Sequence, residues 1–201
     1  MRRTGDSKPS KVWAGTIRLL NRDDWPLIET LFGANGACGG CWCMYWRAAR
    51  HGKQWDAAKG ESNRRAFFRL VTEGRVHGVV ALSDGVPVGW CCFGPREDFP
   101  RLLQSRNLQR PEAGERWSVV CFFVQRTFRR RGLGVLLLRA ATDAALARGA
   151  GDIEGYPKKV RAGSSLPGPF IWTGTEAMFA AAGYRKLPRG QELPPIYVYS
   201  R

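Results

Sequence analysis

The chain has 201 residues, of which 44% are hydrophobic and 24% are charged, so it is long enough to bury a core and is not disordered by composition. No apolar run approaches the ~20 residues that a membrane-spanning helix needs, which argues against a membrane protein. The 32 basic residues outnumber the 17 acidic ones, and the resulting formal charge of +15 favours anionic ligands or partners.

The start of the chain is basic and is not followed by the long apolar stretch of a signal peptide. We predict a flexible basic tail over residues 1–14 and a single folded domain over residues 15–201. Six cysteines in a chain without an export signal are expected to be reduced thiols, and a cytoplasmic location is the matching expectation.

The first half of the domain predicts a strand, two helices and a β-hairpin. The strand covers residues 16–20, the helices about 24–32 and 61–73, and the hairpin strands 76–82 and 86–93. Gly33 and Gly74 are suited to end the two helices, and Asp23 and Asp24 are candidate caps for the first. The run Ser83-Asp84-Gly85 supplies turn residues that tolerate a positive φ.

The second half predicts alternating strands and helices. The strands cover residues 117–124, 153–156, 184–187 and 196–200, and the helices cover 135–148 and 176–182. The crossover through the first of these helices should lay strand 153–156 parallel to strand 117–124. The run Thr173-Gly174-Thr175-Glu176 matches a capping box that opens the last helix.

A basic, glycine-containing turn joins strand 117–124 to the helix that follows it. Its sequence is Arg129-Arg130-Arg131-Gly132-Leu133-Gly134. Glycines let backbone amides approach a ligand closely, and a helix N-terminus presents unpaired N–H groups with a partial positive charge. Arginines add charge-assisted hydrogen bonds to phosphate oxygens. The turn therefore predicts a phosphate or pyrophosphate site, and it lacks the glycine spacing of both the P-loop and the dinucleotide fingerprint.

This segment resembles motif A of the GNAT N-acetyltransferase superfamily, whose pattern Gln/Arg-x-x-Gly-x-Gly/Ala binds the pyrophosphate of acetyl-coenzyme A (acetyl-CoA). Residues 124–134 follow the longer family pattern, except that Arg126 stands where the family usually has proline. The order of predicted elements is also the GNAT order, over about residues 16–200. The resemblance implies an α/β fold with a mixed sheet. It would be mostly antiparallel, with one splayed parallel strand pair, and flanked by helices.

The same resemblance implies which residues hold the cofactor. In the family, the pantetheine arm lies in the gap between the two splayed strands and pairs with main chain there. Carried across, this assigns Phe122, Phe123 and Val124 to the pantetheine arm, and Arg129, Arg130, Arg131, Gly132, Leu133, Gly134 and Val135 to the phosphates. A backbone N–H of Phe123 or Val124 would stabilise the oxyanion that forms when an amine attacks the thioester.

The acid for the departing thiolate is less clear from the sequence. The family often uses a tyrosine four residues before a Gly-Phe/Tyr pair, but Phe179 stands at that distance before Gly183-Tyr184. Tyr156 is our first candidate acid and Tyr184 a remote second, and unassisted departure of the thiolate is the alternative. A packing role is the favoured interpretation of each tyrosine.

For the base that accepts the amine's proton, Glu154 is the favoured carboxylate because it lies on the strand opposite the expected acetyl position. Asp152, which shares its face of the strand, competes with it, as do Glu112 and Glu115. A solvent-facing position for any of these carboxylates, with water as the proton carrier, is the alternative interpretation.

The acceptor is expected to contact the segment Cys38 to Arg47, because the region between the first two helices lines the acceptor pocket in the family. Its predicted acceptor-binding residues are Trp42, Tyr45, Trp46 and Arg47. Cysteines at 38, 41 and 43 together with His51 have the ligand types of a zinc site, but they are crowded into one loop without a second pair, so we predict no metal. Cys121 has no histidine placed to activate it, which favours direct attack over an acyl-enzyme.

These observations predict an acetyl-CoA-dependent N-acetyltransferase that acts by direct attack on a primary amine of a small molecule. A protein or peptide acceptor is the alternative within this class, although a charge of +15 would repel lysine-rich tails. The alternatives outside it are a catalytically silent acyl-CoA-binding module and a nucleic-acid-associated module. The basic residues are scattered and carry no nucleic-acid-binding signature, so nucleic acid is the less favoured partner. No membrane partner is expected, and a homodimer stays open.

Overall fold

The computed structural model describes residues 13–48, 53–110, 115–159 and 171–200. They form a seven-stranded sheet in the order β1-β2-β3-β4-β5-β7-β6. The strands are β1 (Thr16–Leu19), β2 (His77–Ser83), β3 (Val86–Pro95), β4 (Arg116–Val124), β5 (Asp152–Gly155), β6 (Arg185–Lys186) and β7 (Tyr197–Ser200). Only the β4–β5 pair is parallel, so the predicted mixed sheet with one parallel pair is confirmed.

Six α-helices are described. They are α1 (Trp25–Phe32), α2 (Lys53–Ala58), α3 (Glu61–Thr72), α4 (Pro100–Gln104), α5 (Leu133–Leu146) and α6 (Glu176–Ala181). Four of them agree with the predicted helices to within about two residues. Helices α2 and α4 were not predicted, because five or six residues are too few to show a helical apolar period. Among the described residues, no helix is long and apolar enough to cross a membrane.

The two faces of the sheet carry separate cores. On one face α5 packs through Leu133, Leu137 and Leu138, which are fully buried or nearly so. On the other face α1 and α3 pack through an apolar cluster that includes Phe32 and Phe67. An amphipathic helix on each face is the expected way to bury both sides of such a sheet.

A β-bulge interrupts β4 on its way to the predicted cofactor site. Cys92 pairs with Cys121 while Phe93 pairs with Val119, so β4 carries one extra residue, Val120, at this point. A bulge bends its strand and increases the local twist. It lies where β4 leaves its parallel partner β5, whose pairing ends at Val119.

Two predicted helix caps differ from the structure. Asp24 precedes α1, but its carboxylate accepts hydrogen bonds from Arg18 at 2.6 and 2.7 Å and from the Asn21 amide at 2.7 Å instead of capping the helix. At α6 the capping side chain is Thr175, whose hydroxyl accepts from the Met178 amide at 3.2 Å. The predicted capping box therefore placed the cap at Thr173, two residues too early. Threonine is a favoured cap at either position, so the sequence alone does not separate the two.

Candidate active site

A gap opens in the sheet where β4 and β5 stop pairing. The two strands are in register only from Arg116 opposite Asp152 to Val119 opposite Gly155. Beyond this point β4 continues to Val124 paired only with β3, and residues 125–132 then connect it to α5. The gap and the N-terminus of α5 are thus neighbours because one short connection joins them.

One large cavity follows this gap, with a volume of about 850 Å³. All ten residues predicted to hold the cofactor line it: Phe122, Phe123, Val124, Arg129, Arg130, Arg131, Gly132, Leu133, Gly134 and Val135. The rest of the lining comes from three segments: Arg126, Thr127 and Phe128 before the basic turn, Ala37 and Cys38 from the loop after α1, and Ile171, Trp172, Gly174, Thr175 and Met178 around the start of α6. The structure therefore brings the whole predicted cofactor set together at one cavity.

The basic turn at one end of the cavity has a specific backbone. Gly132 immediately precedes α5 with φ of +79°, and Arg130 also has a positive φ of +59°. The Arg129 Nε donates to the Val124 carbonyl at 2.8 Å, which folds the turn back onto the end of β4. This arrangement exposes the α5 N-terminus, where unpaired amides and the helix dipole favour an anion.

The two glycines of the turn are needed for different reasons. A Cβ at Gly132 would meet nothing within 4 Å, so this position needs glycine for its positive φ rather than for space. A Cβ at Gly134 would lie 2.8 Å from the Met178 sulfur of α6. Gly134 therefore allows α5 and α6 to pack closely, and both helices contribute to the wall of the cavity.

Glu154, the predicted general base, lies in a closed cluster of charges. Its carboxylate is fully buried and accepts hydrogen bonds from three guanidinium groups, those of Arg96 at 2.9 Å, Arg110 at 3.0 Å and Arg116 at 3.3 Å. The Tyr156 hydroxyl donates to the same carboxylate at 2.8 Å. Glu154 does not line the large cavity, so the structure does not place its carboxylate against the cofactor residues.

Tyr156, the predicted acid, belongs to the same cluster. Its hydroxyl contacts Arg96 at 2.5 Å and Ser118 at 2.9 Å in addition to Glu154. Burial, followed by the nearby Glu154 charge, raises the pKa of Tyr156 well above its usual value. The hydroxyl therefore stays protonated, and its proton is directed at Glu154.

The competing carboxylates are placed differently. Asp152 is partly exposed and pairs with Arg110 at 3.2 Å. Glu115 is exposed at the start of β4, and Glu112 lies outside the described residues. None of the described carboxylates lines the large cavity.

The predicted acceptor residues separate into two groups. Tyr45 and Trp46 lie beside the gap, because the Trp46 indole donates to the Val120 carbonyl at 3.0 Å and both rings contact Trp172. Trp42 instead is buried in the core, stacked on Trp25 with ring centroids 5.7 Å apart. The fourth predicted acceptor residue is also away from the cavity.

Arg47 is this fourth residue, and its side chain is only 7% exposed. Its guanidinium lies 5.0 Å from the centre of the Phe99 ring and 4.0 Å from the Asp98 carboxylate. It lies outside the lining of the large cavity. None of the four predicted acceptor residues lines the large cavity, but Tyr45 and Trp46 adjoin it through Trp172, whereas Trp42 and Arg47 do not.

Comparison with known proteins identifies the family. The model of the "Acetyltransferase (GNAT) family" matches residues 42–155, more than half of the chain. The chain belongs to the GNAT acetyltransferase family. A search of curated proteins gives no significant match.

Solved structures agree with this family. A GNAT-family protein from Desulfovibrio desulfuricans is 15% identical with a TM-score of 0.52, over 93% of this chain and 99% of that chain. Aminoglycoside acetyltransferase AAC(6')-Ib, in complex with coenzyme A (CoA), is 16% identical with a TM-score of 0.52, over 94% and 95%. PaiA N-acetyltransferase from Thermoplasma acidophilum, also in complex with CoA, is 12% identical with a TM-score of 0.50, over 92% and 99%. At such identities these matches support the GNAT fold alone.

As a GNAT enzyme, the chain uses acetyl-CoA as the acetyl donor. The position of the usual GNAT tyrosine is filled by Phe179, which is fully buried between Phe122 and Tyr184. The Tyr184 hydroxyl is bound to Thr142 at 2.7 Å on the α5 side of the sheet, and burial raises its pKa. Neither ring presents an acid to the gap.

Three of the six cysteines of this GNAT chain, Cys43, Cys91 and Cys92, are buried thiols. Among the described residues, no group of His, Cys, Asp and Glu side chains has the arrangement of a metal site, and His51 lies outside them. Although its hydrogen bond with Cys43 lowers the pKa of the Cys121 thiol, burial leaves that pKa above its usual value. A protonated thiol is a poor nucleophile, in line with the expectation of direct attack.

Five participants of this site were not singled out from the sequence. Trp172 lines the cavity, and Arg96, Arg110, Arg116 and Ser118 complete the cluster around Glu154 and Tyr156. No local pattern marks them, since each reaches the site from a distant segment. The only sequence signal was the nearness of Trp172 to the predicted start of α6.

Proposed function

We propose that this GNAT enzyme transfers an acetyl group from acetyl-CoA to a primary amine of a small molecule by direct attack, with the cofactor in the large cavity. The observation that carries the proposal is the continuity of that cavity. It extends from the basic turn before α5, along Phe122 to Val124, to Trp172 at the gap.

The phosphates of the cofactor are assigned to the turn Arg129 to Val135. The guanidinium groups of the three arginines are exposed, and none of the described residues forms an ion pair with them. Charged donors of this kind form strong, partly bidentate hydrogen bonds to phosphate oxygens. The amides at the start of α5 add a favourable contribution of roughly 0.3–1 kcal/mol per charge.

The oxyanion donor in this proposal is the Val124 amide. Along a strand, successive N–H groups point to opposite sides. The Phe122 amide donates to Trp172 across the gap at 2.6 Å, and the Gln125 amide donates to Val88 of β3 at 2.9 Å. Alternation therefore directs the Phe123 amide to β3 and the Val124 amide to the gap, which favours Val124 of the two predicted donors.

Glu154 and Tyr156 remain the predicted base and acid, but their surroundings favour a positioning role. The Glu154 carboxylate has no exposed surface and already accepts from three arginines and Tyr156. Its oxygens are occupied by these donors and it does not line the cavity, so it does not face an incoming amine. We therefore propose that water carries the amine's proton away, while the pair holds the wall of the acceptor site.

A small acceptor is favoured by the aromatic wall that Trp172 presents to the cavity, supported from behind by Tyr45 and Trp46. Flat rings provide apolar contact area for a compact ligand. A lysine-rich protein tail would be repelled by the net charge of +15, which favours a neutral, zwitterionic or acidic amine.

The test of this proposal is the thermal stability of the chain with and without acetyl-CoA, in the parent and in Gly132→Asp. At a hundredfold excess over Kd, a bound ligand should add roughly 2.7 kcal/mol and raise Tm by roughly 5–10 °C. The carboxylate of Gly132→Asp should abolish that shift, because it occupies the phosphate position with like charge.

Gly149→Asp is the matched control. Gly149 also has a positive φ, at +86°, and open space around it, but it lies beyond the other end of α5. It should keep the full shift. A parent protein whose Tm does not respond to acetyl-CoA, or an equal loss of the shift in both variants, would contradict the proposed cofactor site. CoA release with a panel of small amines and peptides then distinguishes the two acceptor classes.

A further inference from the structure

The far end of the gap is closed by main chain from the segment before α6. The Trp172 carbonyl accepts the Phe122 amide of β4 at 2.6 Å. Two residues later, the Gly174 carbonyl accepts the Lys158 amide, just beyond β5, at 2.9 Å. Residues 172–174 are therefore tied to β4 and to the chain following β5, across the space that opens between the strands.

The Trp172 side chain fills the same end of the gap. Its ring centroid lies 4.9 Å from that of Tyr45 and 5.7 Å from that of Trp46. Trp46 is itself fixed by the hydrogen bond from its indole to Val120 and lies 6.2 Å from the Tyr156 ring. The indole of Trp172 thus has aromatic rings behind it and the cavity in front of it.

We propose that Trp172 is the residue that limits the acyl group to acetyl. This inference depends on the proposed function, in which the cofactor passes from the basic turn along β4 and its thioester lies at the Val124 amide. Phe122, which the sequence assigned to the pantetheine arm, then lies beside the acyl group instead. An acyl chain continuing in the same direction reaches Phe122, where the Trp172 backbone and indole close the path. A methyl group fits before this stop, whereas additional methylenes meet a ring that is packed on its other side.

The size of the effect follows from how hydrophobic pockets discriminate. One methylene in such a pocket changes affinity or reactivity by roughly 10–200-fold. For the parent chain we expect Kd for butyryl-CoA to exceed Kd for acetyl-CoA by about tenfold or more. In Trp172→Ala the ratio of the butyryl-CoA Kd to the acetyl-CoA Kd should fall below about threefold, since removing the indole leaves room for the longer acyl chain. The affinity for free CoA, which has no acyl group, should stay unchanged.

The experiment is calorimetric titration of the parent, Trp172→Ala and Trp172→Phe with CoA, acetyl-CoA and butyryl-CoA, which needs no acceptor. Trp172→Phe keeps an aromatic ring against Tyr45 and should give an intermediate ratio. Trp55→Ala is the matched control, because Trp55 also packs on Tyr45, at 5.5 Å, but does not line the cavity. It should retain the parent's ratio.

Equal Kd values for acetyl-CoA and butyryl-CoA in the parent would overturn the proposal. So would an unchanged ratio in Trp172→Ala, or an equal relaxation in Trp55→Ala. Failure of the cofactor site is separately visible, because binding of free CoA would then be absent or unaffected by Gly132→Asp. Loss of discrimination in Trp172→Ala alone, with CoA binding intact, supports Trp172 as the acyl stop.

Discussion

At the scale of single residues, Glu154 is the buried acidic centre of a cluster of basic groups. Its fully buried carboxylate faces the guanidinium groups of Arg96, Arg110 and Arg116. Removing one partner of a buried charge cluster leaves the others uncompensated, at a cost of about 3–5 kcal/mol. We expect Glu154→Gln to lower the free energy of unfolding by about this amount, measured by urea denaturation.

Asp152→Asn is the control for this prediction. Asp152 also pairs with Arg110, but its side chain is 30% exposed, so the loss should stay below about 1 kcal/mol. Steady-state kinetics then separate two roles of Glu154. A variant that keeps its stability but loses kcat would contradict the positioning role and favour the general base.

The residues of the cofactor site were predictable because they are contiguous in sequence. Strand, turn and helix start follow each other within 122–135, so local pattern alone brings them together. The acceptor side has no such order. In its loop Ala37, Trp42 and Cys43 have positive φ, and without a helical or strand period the sequence cannot show which rings face the gap. This is why Trp42 and Trp46 received the same prediction but occupy different environments.

At the scale of elements, α6 links the cavity to the end of the sheet, and its first turn is held by a single capping hydroxyl. The Thr175 side chain accepts from the Met178 amide, and Met178 lines the cavity. Replacing a threonine cap costs about 1 kcal/mol. Thr175→Val should therefore lower the free energy of unfolding by about 1 kcal/mol and weaken acetyl-CoA binding, both measurable in one set of ligand-dependent melts.

Thr173→Val provides the comparison, since it has the same change of shape two residues earlier. The Thr173 hydroxyl is buried and has no hydrogen-bond partner among the described residues. An unpaired buried hydroxyl is unfavourable, so its removal should leave stability unchanged or increase it. If Thr173→Val were as destabilising as Thr175→Val, Thr175 would not be the cap that matters.

The elements themselves show where sequence patterns stop being informative. Helices α3 and α5 were predicted from their apolar period and α1 from its candidate caps, with α5 displaced by two residues toward the glycines. The bulge at Val120 has no sequence signature, because it depends on the register between β3 and β4. The bulge lies directly after the last residue of β4 that pairs with β5, so β4 bends at the point where the gap begins.

At the scale of the whole molecule, the charge of +15 acts on every anionic ligand before contact. A field of one sign increases the association rate of an oppositely charged ligand by about 10–10³-fold, and salt suppresses that increase. We expect the association rate of acetyl-CoA to fall by about tenfold or more between ~0.02 M and ~0.5 M ionic strength, with a smaller change in its dissociation rate. Stopped-flow mixing at several salt concentrations measures both rates.

Two controls separate the global field from the local turn. Acetyl-pantetheine lacks the phosphates, so its association rate should be nearly independent of salt. Arg131→Gln removes one charge at the turn and should speed dissociation of acetyl-CoA while leaving most of the salt dependence of association, since the remaining basic residues are spread over the chain. If this single change removed the salt dependence of the association rate, the charge of the turn itself would attract acetyl-CoA, and the predicted role of the overall charge would be wrong.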